Sequence, residues 1–236
     1  MPLPTGIRRS VRNQATRLLK TGQRFDRFDQ IRQRHFWSDY NFSVDSAGYI
    51  SSGDYKLFTT PSGQSGQGFP FALTDRETNW KSANRVPDNQ NFEILELGVS
   101  LLPGFEGTNA QDPEVNCITA DIANSFFQNT ILAIQYLTNE ISLGLCSDFS
   151  QASAPMMGSY VNNPVGVSLP QEFISNGFAA PGLRRRFKIP ILLQHGETFT
   201  FNFKVPRAFF MQGLDADTSF IARMDFWATE SFVERS

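Results

Sequence analysis

The chain reads as an all-β protein: an antiparallel β-sandwich with one short helix and a basic N-terminal arm. Two observations carry this. Several segments alternate strictly between apolar and polar residues, as in Phe199, Phe201, Phe203 and Val205 against Thr200, Asn202 and Lys204. Period two with aromatic and β-branched residues marks strands that bury one face. Composition agrees. Hydrophobic residues make up 40% of 236 positions, Phe alone supplies 23, and charged residues stop at 19%, below the usual quarter. Ser, Asn, Gln, Thr, Gly and Pro take up the difference, which suits strands joined by long polar loops. A chain of this size can be one undivided β domain with an ample core.

Residues 1–35 form the arm. Residues 1–38 carry nine basic and two acidic side chains, a net +7, which leaves −9 on the rest of a chain whose total is −2. Arg8, Arg9, Arg12, Arg17, Lys20, Arg24 and Arg27 lie in the arm. A basic tail on an acidic body points to nucleic acid, a membrane surface or an acidic partner, and arginine favours bidentate phosphate contacts. Ile7, Val11, Leu18 and Leu19 allow a weak amphipathic helix that Pro2, Pro4 and Gly22 limit. A solvated tail is the alternative.

Residues 36–236 form a single domain, with no internal repeat and no clean linker. Phe36, Tyr40, Phe42 and Val44 predict a strand, Ser46-Ala47-Gly48 a turn, and 49–60 a further strand. The glycines and prolines of 61–70 predict a loop, as does the polar stretch 75–91. Phe92 to Leu102 is a strong strand with Leu95, Leu97, Val99 and Leu101 on one face, stopped by Pro103-Gly104 and followed by an acidic loop over 104–116. Thr119-Ala120-Asp121-Ile122 reads as an N-cap opening a short helix with Ile122 and Phe126 a turn apart. A helix running through 122–137 is the competing reading. Leu132, Ile134 and Tyr136 fall on even positions and Ile141, Leu143 and Leu145 on odd ones, so a hairpin here needs an even loop. Thr138-Asn139 supplies it, with Ile134 opposite Leu143. Residues 147–182 are a long connection, of the length that is usually functional or an interaction surface.

Phe187, Ile189, Ile191 and Leu193 share odd parity with Phe199, Phe201, Phe203 and Val205. Paired residues point to one side of a sheet, so a hairpin between them needs an odd loop. A three-residue loop around His195-Gly196, with Gly196 at positive φ, fits. That hairpin would lay about eight large apolar side chains on the core, with Arg184-Arg185-Arg186 at one end and His195 at the other. Phe220, Ala222, Met224, Phe226 and Ala228 predict the last strand. A strong strand near residue 95 with partners past 198 demands non-local pairing, as a jelly-roll sandwich provides.

Signatures of catalysis do not emerge. His35 and His195 are the only histidines, and neither has an acid or cysteine at a catalytic or ligand spacing, so both read as structural and no His-rich metal site can form. Gly63-Gln64-Ser65-Gly66-Gln67-Gly68 lacks the Lys-Ser/Thr of a phosphate loop. Asp215-Ala216-Asp217-Thr218 lacks the glycine and distant glutamate of a calcium loop. Cys117 and Cys146 have no CxxC spacing and read as buried free thiols. No cofactor is expected. Neither a signal peptide nor an apolar run of transmembrane length is visible, and the expected compartment of synthesis is a cytosol. Arg184, Arg185 and Arg186 form a basic triplet: an exposed loop edge with ordinary ion pairs, or a contact to phosphate or to a neighbour's acidic loop.

A basic arm followed by a Phe-rich β body with long Gly/Ser/Pro loops resembles viral coat proteins of the jelly-roll kind. The stretch Phe92 to Leu101 is similar to a sheet strand of such a body. Asp121 to Thr130, with the strands after it, resembles the helix-to-strand segment of capsid proteins of tailless bacteriophages. The resemblance implies a virion structural protein, whether capsid, minor capsid or cement subunit. It would not be an enzyme, and its partners would be copies of itself, other virion proteins and, through the arm, genomic nucleic acid. Its expected place is the virion, after synthesis in the host cytoplasm. Two alternatives remain open: a carbohydrate- or ligand-binding β-sandwich, with Trp37, Trp80 and Tyr160 stacking on sugars, and a phage tail or fibre component.

Overall fold

The computed structural model describes residues 31–103, 118, 120–150, 158–160, 171–173, 185–212, 214 and 218–232. The arm before Ile31, the acidic loop 104–116, Cys117, the N-cap at Thr119 and most of the 147–182 connection therefore lie outside the described residues. In chain order the elements are β1 (Ile31–Ser43), β2 (Tyr49–Ile50), β3 (Gly53–Leu57), β4 (Gln90–Pro103), α1 (Ala120–Asn129), β5 (Ile131–Tyr136) and β6 (Asn139–Leu145). A 3-10 turn (Cys146–Phe149) follows, then β7 (Gly158–Tyr160), β8 (Gln171–Phe173), β9 (Arg185–Leu193), β10 (Phe199–Val205), β11 (Phe209–Phe210) and β12 (Ser219–Phe232). β1 starts five residues inside the segment assigned to the arm.

Two four-stranded sheets make the sandwich, in the orders β1-β12-β4-β9 and β3-β10-β5-β6. Taken without the short strands, the eight long ones pair in a nested way. First meets last (β1 with β12), second meets seventh (β3 with β10), third meets sixth (β4 with β9) and fourth meets fifth (β5 with β6), all antiparallel. This is the jelly-roll arrangement. β1 and β3 meet at one lateral edge, so β6 and β9 end their sheets at the other.

The core between the sheets is dominated by phenylalanine. Phe226 on β12 packs with Phe36, Phe58, Trp80 and Phe201, and all five are buried. Helix α1 closes one end, where Phe126 lies edge-on to Phe42, Phe203 and Phe220. A short helix followed by a strand forms here, with helix to Asn129 and strand from Ile131, and the competing helix through 122–137 does not. β12 is central in its sheet, and its outer face is covered too. The 61–74 segment folds over it, packing Phe69 and Leu73 on Ile221. Gln67 fixes that segment, accepting from the Asn41 amide at 2.9 Å and donating its side-chain amide to Ser38 Oγ at 2.8 Å.

The strands over 92–102, 199–205 and 219–229 form as the alternation predicts, and Phe199, Phe201, Phe203 and Val205 are all buried. Three details differ. The 187–206 stretch is not a hairpin, because β9 and β10 belong to opposite sheets. Period two tells which residues face the core, and two strands on opposite sheets face the same core. Equal parity therefore does not require pairing, and Gln194–Thr198 is a corner between layers, with Gly196 at φ 73°. Nor does β9 bury its whole odd face: Ile189 is 79% exposed. In β4, Leu95 falls in a bulge, since Trp227 pairs with Glu96 and Ala228 with Ile94. The inward phase switches there, from Phe92 and Ile94 to Leu97, Val99 and Leu101. The β5–β6 hairpin keeps the even loop but slides by two residues. Ile134 meets Ile141 and the turn is Leu137-Thr138. A slip of two preserves facing, which is why parity cannot detect it.

Candidate functional site

Of the basic residues singled out in the sequence, Arg8, Arg9, Arg12, Arg17, Lys20, Arg24, Arg27 and Arg184 lie outside the described residues. Arg185 and Arg186 open β9 on the lateral edge. Arg185 is exposed opposite Leu97. Arg186 donates Nε to Glu96 Oε1 at 2.8 Å, and its Nη2 reaches the same oxygen. A pair this open to solvent contributes about 1 kcal/mol at most, so half of the described basic doublet is engaged within the chain.

The same edge carries an unusual share of exposed apolar surface. Ile141 and Leu145 on β6, Leu137 at the β5–β6 turn, and Ile189 and Leu192 on β9 are five of the seven large hydrophobic residues exposed among the described residues. Both strands end their sheets, so among the described residues no further strand pairs with their outer backbone groups. Edge strands are usually protected against such pairing. Here Pro190 removes one donor, and it lies in the β9 irregularity opposite Leu95. The other two exposed residues, Tyr49 and Phe210, stack edge-on at 5.5 Å across the β2–β11 ribbon. Sequence reasoning placed Ile141, Leu145 and Ile189 on buried faces. Alternation reports a face, and whether a second layer extends far enough to cover it is a tertiary property.

A second cluster lies on the outer face of β1 and β12, beneath the 74–80 segment. Arg223 grips Asp39 with two nitrogens and also donates to the Arg76 carbonyl at 2.7 Å. Glu77 accepts from the Thr74 amide at 2.7 Å. Burial pushes the Asp39 carboxyl up to about 6, against the pull of Arg223. His35 meets Asp225, 190 residues away in sequence, at 2.7 Å through Nε2 and stacks flat on Trp227 at 4.5 Å. Histidine held by a carboxylate is the orienting half of a nucleophile-activating arrangement. Among the described residues no group of three or more His, Cys, Asp or Glu side chains is placed to hold a metal ion. The signal that could have found the pair is register: β1 and β12 place His35 directly opposite Trp227.

Cys146 is buried, and burial pushes its thiol up, away from reactive thiolate. At the β9–β10 corner the His195 backbone amide donates to Asn91 Oδ1 at 2.8 Å. No described helix is long and apolar enough to cross a membrane.

The class that fold and surface define is a jelly-roll β-sandwich with an apolar lateral edge. No family model, curated protein or solved structure matches the chain.

Proposed function

We propose that the chain is a structural subunit of a virion, working by association with copies of itself and not by catalysis. The observation that carries this reading is the lateral edge, where the two sheets end in exposed Ile141, Leu145, Ile189 and Leu192. Exposed apolar side chains on strands that end their sheets offer surface for contact. Jelly rolls serve capsids, lectins and cupins alike, so the fold supports the reading without deciding it.

Charge suggests the geometry of the contact. β9 brings Arg185 and Lys188, both exposed, to the edge. Two such edges meeting face to face would oppose like charges. A basic edge against an acidic surface elsewhere on a second copy avoids that, and the chain beyond residue 38 carries a net −9. Contacts between unlike surfaces build rings where the rotation between copies closes. The arm then supplies the phosphate-binding charge on the genome side.

The carbohydrate-binding alternative loses one of its three aromatic residues. Trp80 is 3% exposed and packs edge-on against Phe36, Phe92 and Phe199. Trp37 is half-buried beneath Arg223.

Sedimentation velocity and negative-stain microscopy over a concentration series, with and without nucleic acid at low and high salt, test the proposal. The expected result is reversible assembly that Ile189→Asp with Ile141→Asp abolishes at unchanged Tm, each contact burying on the order of 1,000 Å² or more. Nucleic acid should promote it at low salt only. A monomer at every concentration, with and without nucleic acid, would overturn it.

A further inference from the structure

The outer face of the second sheet holds a cavity of about 210 Å³ where β3, the β5–β6 turn and the start of β10 converge. Lys56 stands at one side; Thr59, Asn84, Gln135 and Thr200 supply hydroxyl and amide groups, and Leu137 gives the lip an aliphatic side chain. No carboxylate lines it. Pockets for drug-sized ligands begin at about 300 Å³, so this one suits something smaller.

Backbone strain gathers at the same place. Asn84 and Leu137 are two of the four non-glycine residues at positive φ among the described residues, at 38° and 53°, and a third, Phe58 at 61°, immediately precedes Thr59. Phe58 turns its ring into the core beside Leu57 and so throws Thr59 outward. The Asn84 carbonyl then accepts from the Phe199 amide at 2.9 Å, and the Leu137 amide donates to the Thr198 carbonyl at 3.1 Å. These bonds hold the cavity open independently of any ligand. Leu137 is the odd choice. A two-residue hairpin turn favours Asn-Gly, and a 49% exposed leucine in the left-handed region gains little from burial. Strained residues persist where function keeps them.

We propose that this cavity binds a monosaccharide bearing one carboxylate. Lys56 pairs with the carboxylate, the hydroxyl and amide side chains take the ring hydroxyls, and Leu137 covers an aliphatic ring face. The site shares Leu137 with the apolar edge but includes neither Ile141 nor Ile189, the residues substituted in the assembly test, and its occupancy is read without a shell being formed.

Saturation-transfer difference NMR on the full chain with D-glucuronate, D-glucose and methyl β-D-glucuronide tests this. D-glucuronate should bind saturably and at least tenfold more tightly than D-glucose. Lys56→Met, at an exposed position where folding is not at risk, should erase that preference. Leu137→Asn should raise Tm while weakening D-glucuronate at least fivefold, opposite movements that a merely structural turn would not produce. Equal binding of the methyl glycoside assigns the terminal residue of a glycan as the natural form; its loss assigns the free sugar acid. Absence of saturable D-glucuronate binding, or binding unchanged in Lys56→Met, overturns the proposal.

Discussion

Arg223 holds Asp39 through two parallel bonds, Nε to Oδ1 at 2.7 Å and Nη2 to Oδ2 at 2.9 Å, with the carboxylate 2% exposed. The pair links β1 to β12 and, through the Arg76 carbonyl, fastens the 74–80 segment to both. Breaking a buried pair by removing one partner costs about 3–5 kcal/mol, because the other charge stays buried alone. Arg223→Met should therefore lose about that much in denaturant unfolding, and Arg223→Met with Asp39→Asn should recover a large part of it.

The same carboxyl gives stability a pH signature. Burial raises its folded-state value from 3.8 to about 6 despite Arg223. A raised value means that the protonated form is favoured by folding. Its contribution is fully present below about pH 3.8 and is lost as pH rises through about 6, an effect of about 3 kcal/mol at most. Asp39→Asn should flatten the stability difference between pH 4 and pH 7 relative to the unmodified chain. An identical slope in both proteins would contradict the assignment.

Gly68 is the tightest point of the segment laid over the first sheet. Its φ is +79°, and a Cβ there would sit 2.1 Å from the Asn41 carbonyl oxygen. Backbone cannot yield as a side chain can. Gly68→Ala should cost about 2 kcal/mol or more from the left-handed conformation and the clash together. Hydrogen exchange should then rise first at Asn41, whose amide bonds to the Gln67 carbonyl. Gly63→Ala is the control: its Cβ meets nothing within 4 Å, so only the φ penalty should remain.

Phe226 lies where rings of both sheets converge. Phe226→Ala should cost about 3–5 kcal/mol, while Phe226→Leu, which retains most of the volume, should cost less than half of that in urea unfolding.

Cys146 should be silent towards a thiol reagent in the native state of a Cys117→Ser variant and react on unfolding, since it is fully buried. Rapid native-state reaction would show that the 3-10 turn opens readily.

Strand positions were readable because alternation is a local consequence of one buried face, and Phe199–Val205 and Phe220–Ala228 show it without interruption. What was not readable is which sheet a strand joins. Leu193 and Phe199 face one core from opposite layers, and the sequence pattern is the same as for a hairpin. Leu95 shows a second limit. A bulge shifts phase by one residue, and a run of Ile-Leu-Glu-Leu carries no mark of where the shift falls. The His35–Asp225 and Asp39–Arg223 pairs needed the register of β1 on β12, which joins residues from the two ends of the chain. The edge surface was hidden for a different reason: Ile189 and Ile141 have the chemistry of core residues and lack only a layer above them.

Nested pairing also sets a timetable. β12 is synthesised after every other described strand, yet it sits between β1 and β4 and pairs Ile31 with Ser231. Until it emerges, the first sheet has a gap through its middle, and Phe36 and Phe42 on β1 have no strand beside them. Folding must wait for a contact of very high sequence separation, which places this chain among slow folders. During that wait, edge-forming strands are open to other chains. A nascent chain stopped before residue 219 should accordingly be protease-sensitive throughout β1, and the addition of β12 should convert it to the resistant form in one step.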